Sequence, residues 1–434
     1  MSEKYRIISF LRHYNDIDHI VPVIYKWAQL KKSPVDIIIT TAKDYLNDYR
    51  IQLLKKNKGI KVHFIDDFLS PEERKEKEAS RKDKKSAWWS LRSEKKGRKA
   101  RSKNFFRSIY SADNFIERLF ERVFSPSVGG VVLFDWLSVK APHLEFARKV
   151  IEKAHGRGFV AVSLPHGDSP HYNRMIRLNE LNYECMEHYA AGAIFDYVVV
   201  PNELCARRYR QHMDIERIKV LGSPRYNSEW LDFMETLVPP YECKKSEGKL
   251  KVVFFLRNFL YPVFWEEVIR SIKLVTQFEE LYLIVKHHTR EARLDKLLEA
   301  YPELSSGKIE NLEFVYDDVH SSALVKWADV IMDLGTSVAF EAVKRRKPVL
   351  CMEYLHSSVS TVAYYIKNCD IRCRDDLYET LLKFLANPKY GFYDENERKK
   401  FIQEIIDFPD TDVLNRYVSF IESCCGLSLS LSRK

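Results

Sequence analysis

The sequence predicts an α/β protein of two doubly wound domains that face a cleft. Three observations predict it. Between residues 5 and 221, short runs rich in β-branched and aromatic residues alternate with helical patterns, the mark of βαβ units on a parallel sheet. The alternation breaks at 237–249, LVPPYECKKSEGK, where Pro-Pro, charge and Gly read as a connection. A second alternating series begins at once with Lys251. The expected divisions are a first domain over 1–236, a linker over 237–250, a second domain over 251–410, and a C-terminal helix and tail over 411–434. In open parallel sheets ligands bind beyond the carboxyl ends of the strands. Two such domains suit a reaction between two bound substrates.

In the first domain the strands are expected at 5–11, 35–40, 61–65, 130–134, 159–164, 197–200 and 218–221. Helices are expected at 20–30, 42–55, 112–123, 141–155 and 203–210, with 12–19 read as a polar loop. In the second, strands fall at 251–256, 281–286, 312–315, 329–332 and 348–351. Helices fall at 264–275, 291–298, 321–327, 337–345, 377–385, 396–406 and 413–424.

The chain has 434 residues, 45% of them hydrophobic and 30% charged, which supports normal cores and argues against wholesale disorder. Its longest apolar runs fall far short of the ~20 residues that cross a bilayer. No secretory leader is visible at the N-terminus. The eight cysteines show no C-x2-C pair and read as free thiols; Cys369 and Cys373 lack the second half of a zinc site. The net charge is +9, and the segment 71–107, with fifteen basic and six acidic residues, accounts for all of it. This segment carries Trp88-Trp89 and Phe105-Phe106. It reads either as a solvated insertion or as an arm for an anionic membrane surface, where basic residues meet headgroups and indole rings settle at the interface. Nucleic acid is not expected as a partner, because the rest of the chain is neutral and no nucleic-acid-binding motif follows.

The most informative stretch is DVIMDLGTSVAFEAVKRRKPVLCMEY, 329–354. A buried strand ends in a turn and a helix starts immediately. Amides at a helix start, and the helix dipole, favour an anion such as phosphate. Gly335 permits close backbone approach, and Thr336 and Ser337 supply hydroxyls that either cap the helix or meet a phosphate. Lys286, His287, His288 and Arg290 end the second strand of this domain, and Arg257 and Asn258 end its first. Cations and donors at strand ends suit phosphate.

The pattern D-x-G-[ST]-S-x-x-F-E-A-x-x-x-x-K-P-V-L resembles the donor-binding segment of glycosyltransferases of the two-Rossmann (GT-B) type. It also resembles sugar-nucleotide 2-epimerases and CDP-glycerol glycerophosphotransferases of that superfamily. The resemblance implies two Rossmann-like domains, Gly335, Thr336 and Ser337 as phosphate contacts, and Glu341 as a ribose contact. LIVKHHTR, 283–290, is similar to the family's K/R-x-H-P segment, with His288-Thr289 where His-Pro is usual. LGSPRY, 221–226, resembles the G-x-P-R-[FY] turn before the linker. Its extension, Asn227 to Trp230, is closer to transferases of capsule and lipopolysaccharide assembly, including β-Kdo transferases.

SLPHGDSPHYN, 163–173, resembles the strand-then-His-Gly loop of the same superfamily. His166 or Asp168 is the expected proton-handling or nucleophilic group, or else the pair forms a simple turn. Arg12, His13, Asp16, Asp135, Arg225 and Glu229 are expected acceptor contacts. The resulting expectation is a cytoplasmic glycosyltransferase, peripheral on the inner face of the cell membrane. Its donor would be a nucleotide-sugar such as CMP-Kdo or a UDP-sugar, and its acceptor a surface glycan or lipid-linked saccharide. The resemblance implies no cofactor and no metal, since the cationic groups would neutralise the leaving phosphate. The alternatives are a 2-epimerase, a glycerophosphotransferase, or a degenerate glycan-binding scaffold.

Overall fold

The computed structural model describes residues 5–12, 14–31, 33–40, 48–79, 109–124, 129–165, 175–177, 180–182, 186–257, 263–288, 298–304, 307–316, 319–408 and 412–431. The chain divides into two compact units. Unit 1 comprises Met1–Gly167, Cys185–Arg225 and Asp412–Lys434; unit 2 comprises Asp168–Glu184 and Tyr226–Thr411.

Unit 1 is built on β1 (Arg6–Leu11), β2 (Val35–Ile39), β3 (Ile60–Phe64), β4 (Gly130–Asp135) and β5 (Phe159–Leu164). A short antiparallel pair, β6 (Met175–Arg177) and β7 (Glu180–Asn182), belongs to unit 2. β8 (Tyr197–Val200) and β9 (Ile218–Val220) complete the first sheet. Its order is β3-β2-β1-β4-β5-β8-β9, and every pairing is parallel. β2, β4 and β5 are buried at every position. Burial on both faces is why they read as unbroken apolar runs. Phe10 stacks on Phe134 with centroids 4.5 Å apart, at the centre of an aromatic core.

The helix after β1 spans Tyr14–Lys31, so the expected polar loop over 12–19 is mostly helical. Ile17, Ile20, Val21, Ile24 and Trp27 recur at helical spacing on its buried face. Asp16 and His19 are buried too, which hid the start of the period. Pro22 lies inside this helix and not in its first turn.

A helix covers 71–79, the beginning of the basic segment. Glu73 pairs with Arg118, and Lys77 pairs with Asp66 and bonds the Tyr110 hydroxyl. This stretch is therefore fastened to unit 1. The expected membrane arm, with its tryptophans, lies otherwise outside the described residues. Among the described residues no helix is long and apolar enough to cross a membrane, and no disulfide joins the cysteines.

Unit 2 carries β10 (Leu250–Phe255), β11 (Leu281–Lys286), β12 (Leu312–Val315), β13 (Val330–Asp333), β14 (Val349–Met352) and β15 (Asp370–Ile371). The order is β12-β11-β10-β13-β14-β15, again all parallel. In each sheet the strand order reverses beside the first strand, at β1/β4 and at β10/β13. Such switch points open a crevice at the carboxyl ends of the strands.

The stretch expected as a linker lies within unit 2. Tyr241 donates to Glu313 at 2.9 Å and packs edge-on against Trp327. The division of the chain falls between Arg225 and Tyr226, just before a helix over Ser228–Leu237. The last helix, Val413–Leu431, returns to unit 1. There Tyr417, fully buried, donates to the Gly222 carbonyl at 2.8 Å, and Arg416 donates to Val220 at 2.9 Å.

Candidate functional site

At the switch point of unit 2, Arg257 follows β10 and Asp333 ends β13, with Phe255 and Asp333 side by side in the sheet. Asp333 is fully buried. Its carboxylate accepts the Gly335 amide at 2.7 Å, the Thr336 amide at 2.9 Å and the Thr336 hydroxyl. The turn expected to present its amides to a phosphate thus spends two of them on its own aspartate. Ser337 makes no side-chain cap, and its carbonyl accepts the Tyr226 hydroxyl at 2.8 Å.

What the turn does present is Gly335. Its φ of 76° is left-handed, where L side chains are strained. A β-carbon there would lie 3.5 Å from Ser360 Oγ, 3.8 Å from Arg257 Nη1 and 3.9 Å from His356 Nε2. Three polar side chains from two other loops therefore converge over one residue without a side chain. Arg257 is 2% exposed, and His356 and Ser360 are each 4% exposed.

These groups are tied to one another. Arg257 Nη1 donates to Ser358 Oγ, which lies 3.1 Å from His356 Nδ1. The Ser358 amide also donates to Nδ1, at 3.3 Å. An Nδ1 that accepts an N–H carries a lone pair, so the ring proton is on Nε2. Burial, and next the Arg257 charge, push the His356 pKa down to about 4. The ring is neutral near neutrality, and Nε2–H is a donor with no hydrogen-bond partner among the described residues. Its nearest carboxylate, Glu353, is 3.7 Å away.

Two buried acids flank this cradle. Burial raises Asp333 to about 6, against the pull of its turn hydrogen bonds. Burial raises Glu353 to about 7, although both its oxygens accept the Ser360 amide at 3.2 Å.

Lys286, His287 and Glu341, also expected as donor contacts, have partners within unit 2. Lys286 is buried and donates to the Tyr316 carbonyl. His287 Nδ1 donates to the His288 carbonyl at 3.0 Å, and its ring lies 5.2 Å from that of Tyr316. Glu341 accepts from Ser322 at 2.9 Å and Arg345 at 3.2 Å, so it fastens two helices together. Asn258 and Arg290 lie outside the described residues, as do His13, His166 and Asp168.

Unit 1 has its own polar cluster at its switch point. Arg12 donates to Asp135 at 2.9 Å and lies 3.1 Å from His143 Nδ1, and its amide donates to Asp16 at 2.7 Å. Arg12, Asp16 and Asp135 thus come together, with His143 added. Arg225 instead pairs with Asp18 at 3.2 Å. Glu229 is exposed on the first turn of the helix over Ser228–Leu237 and belongs to unit 2, not to the first domain. Among the described residues no three His, Cys, Asp or Glu side chains are grouped to hold a metal ion.

The chain resembles solved structures along nearly its whole length. It covers 98% of itself and 97% of an S. aureus MnaA structure with UDP, at 13% identity and a TM-score of 0.58. It covers 96% of itself and 99% of a UDP-GlcNAc 2-epimerase from Methanocaldococcus jannaschii, at 12% identity and a TM-score of 0.56. The shares are the same for the UDP-GlcNAc 2-epimerase from Neisseria meningitidis bound to UDP-GlcNAc, at 12% identity and 0.55. The fold is GT-B-like. No protein-family model matches the sequence, and no curated protein matches it. At this identity the likeness establishes a fold and not a reaction. The expected kinship with β-Kdo transferases gains no support from it.

Sequence reasoning placed Arg257 and Gly335 at the site. It missed His356, Ser358, Ser360 and Glu353, and it assigned no role to Asp333. The available signal was the polar run E-Y-L-H-S-S-V-S, 353–360, directly after a buried strand.

Proposed function

We propose that this chain acts on a nucleotide-activated sugar and holds the diphosphate in unit 2, over Gly335. The observation that carries the proposal is the convergence of Arg257, His356 and Ser360 on that glycine, at the carboxyl edge of β10 and β13. A buried guanidinium and a buried neutral N–H donor are complementary to a phosphate and stabilise the charge of a nucleoside diphosphate as it departs.

Of the reactions compatible with such a leaving group, we favour epimerisation at C2 of a UDP-linked sugar. The support is the fold shared with 2-epimerases along nearly the whole chain. Inversion at C2 breaks the C2–H bond and remakes it from the opposite face, so the carbon exchanges its hydrogen with solvent through a protein base. Transfer to a glycan acceptor is the second reading, favoured by the Gly-Thr-Ser turn and the Gly-Ser-Pro-Arg-Tyr segment.

Incubation with UDP-GlcNAc in D2O, with no acceptor, separates the two. Epimerisation gives deuterium at C2 and a second UDP-sugar. Absence of deuterium, with UDP released only when an acceptor is added, would replace this reading with transfer.

A further inference from the structure

We infer that His356 is a phosphate-binding residue whose Nε2–H donates to a non-bridging oxygen of the phosphate held over Gly335, with Ser358 as its positioning residue. The inference rests on the reading of unit 2 as a diphosphate site and adds to it a loop, 353–360, that the sequence motif does not include.

The imidazole side chain is fully buried, and Nε2 is a donor left without a hydrogen-bond partner among the described residues. A buried donor in that state carries a desolvation cost that a ligand oxygen removes. Nε2 stands 3.9 Å from the point that a β-carbon of Gly335 would occupy, and Arg257 Nη1 stands 3.8 Å from the same point. Both donors thus stand on the side of Gly335 from which a β-carbon is missing.

The charge balance favours this pairing. Two cations in one buried space repel each other, whereas a guanidinium beside a neutral N–H does not. Arg257 supplies the charge, and His356 supplies direction. Ser358 links them: it accepts from Arg257, and its amide and hydroxyl both meet His356 Nδ1. That contact holds the lone pair on Nδ1 and the proton on Nε2.

The loop is held in place by the residues that lead into the helix over Trp265–Val275. His356 pairs across an isolated bridge with Val263, and the Phe264 amide donates to Leu355 at 2.9 Å. The imidazole is therefore set before the ligand arrives, and little ordering cost remains.

The test is calorimetric titration of the full chain with UDP and, in competition, with uridine. His356→Phe keeps the ring and removes the donor. We expect UDP to bind about 10–100-fold more weakly, the usual worth of a hydrogen bond to a charged group, with uridine unchanged. His356→Gln, whose amide reaches the Nε2 position, recovers most of the loss. Ser358→Ala weakens UDP about 3–10-fold. A wild type that prefers UDP to uridine, with His356→Phe preferring it equally, would defeat this inference alone. A wild type that does not distinguish UDP from uridine would defeat the reading of the site itself. If His356→Phe does not fold, a Ser358→Ala variant with the wild-type preference for UDP also overturns the proposal.

Discussion

Gly335 carries two demands at once, a left-handed φ of 76° and the space over which three polar groups meet. Gly335→Ala is expected to lose about 1–2 kcal/mol of stability from the backbone alone. It should also bind UDP at least 10-fold more weakly, since its methyl group would narrow the space over the turn that the phosphate needs. Urea unfolding reads the first effect and calorimetry the second; a variant with wild-type affinity would move the ligand away from this turn.

Glu353 makes a separate prediction. Its pKa, raised by burial to about 7, leaves it half protonated near neutrality. An anionic ligand is bound better beside the protonated acid. The affinity for UDP-GlcNAc, whose diphosphate does not titrate near pH 7, should fall as pH rises from 6 to 8. Glu353→Gln should flatten that profile; a profile of unchanged slope would remove Glu353 from the site.

The same shifts act on stability with opposite signs. Asp333 and Glu353 have folded-state pKa values above their ordinary ones, so their contributions are full below pH 4 and are lost as pH rises through about 6 and 7. His356, held down to about 4, destabilises the fold as pH falls from 6.5 to 4. His356→Gln removes that component. Its stability, relative to wild type, should therefore improve as pH falls over this window, which chemical denaturation at pH 4.5 and 7 measures. An unchanged difference would mean that the imidazole titrates normally.

At the scale of elements, the last helix shows how sequence order and packing part company. Val413–Leu431 follows unit 2 in the chain yet completes unit 1, with Val413, Tyr417, Ile421 and Cys424 buried there. Tyr417→Phe leaves the Gly222 carbonyl without its donor and should cost about 1–3 kcal/mol. Urea unfolding checks this, and a loss below ~0.5 kcal/mol would mean water replaces the hydroxyl.

The strands were legible because parallel strands buried on both faces leave unbroken apolar runs. What was hidden has physical causes. Asp16 and His19 are polar residues on a buried helix face, so the helix start looked like a loop. β15 is only two residues long. The site was half legible for a related reason: Arg257 and Gly335 adjoin strands that announce themselves, and the sequence motif ends at Leu350. His356 and Ser358 reach the site through a loop whose path is set by contacts with Val263 and Phe264, which no local pattern reports.

At the scale of the whole molecule, two sheets of the same strand order each place a polar cluster at the switch point. In unit 1 the cluster joins Arg12, Asp16, Asp135 and His143; in unit 2 it joins Arg257, Asp333, Gly335, His356 and Ser358. We assign the phosphate to the second. UDP should therefore slow amide exchange most strongly at 333–337 and 353–360, because a ligand stabilises what it binds. Protection confined to unit 1 would reverse the assignment.

The most direct measurement is a crystal structure of the chain with UDP. The account predicts a phosphate over Gly335, with one oxygen within hydrogen-bonding distance of both Arg257 Nη1 and His356 Nε2. A nucleotide bound with its phosphates away from Gly335, and with neither side chain touching it, would contradict the account.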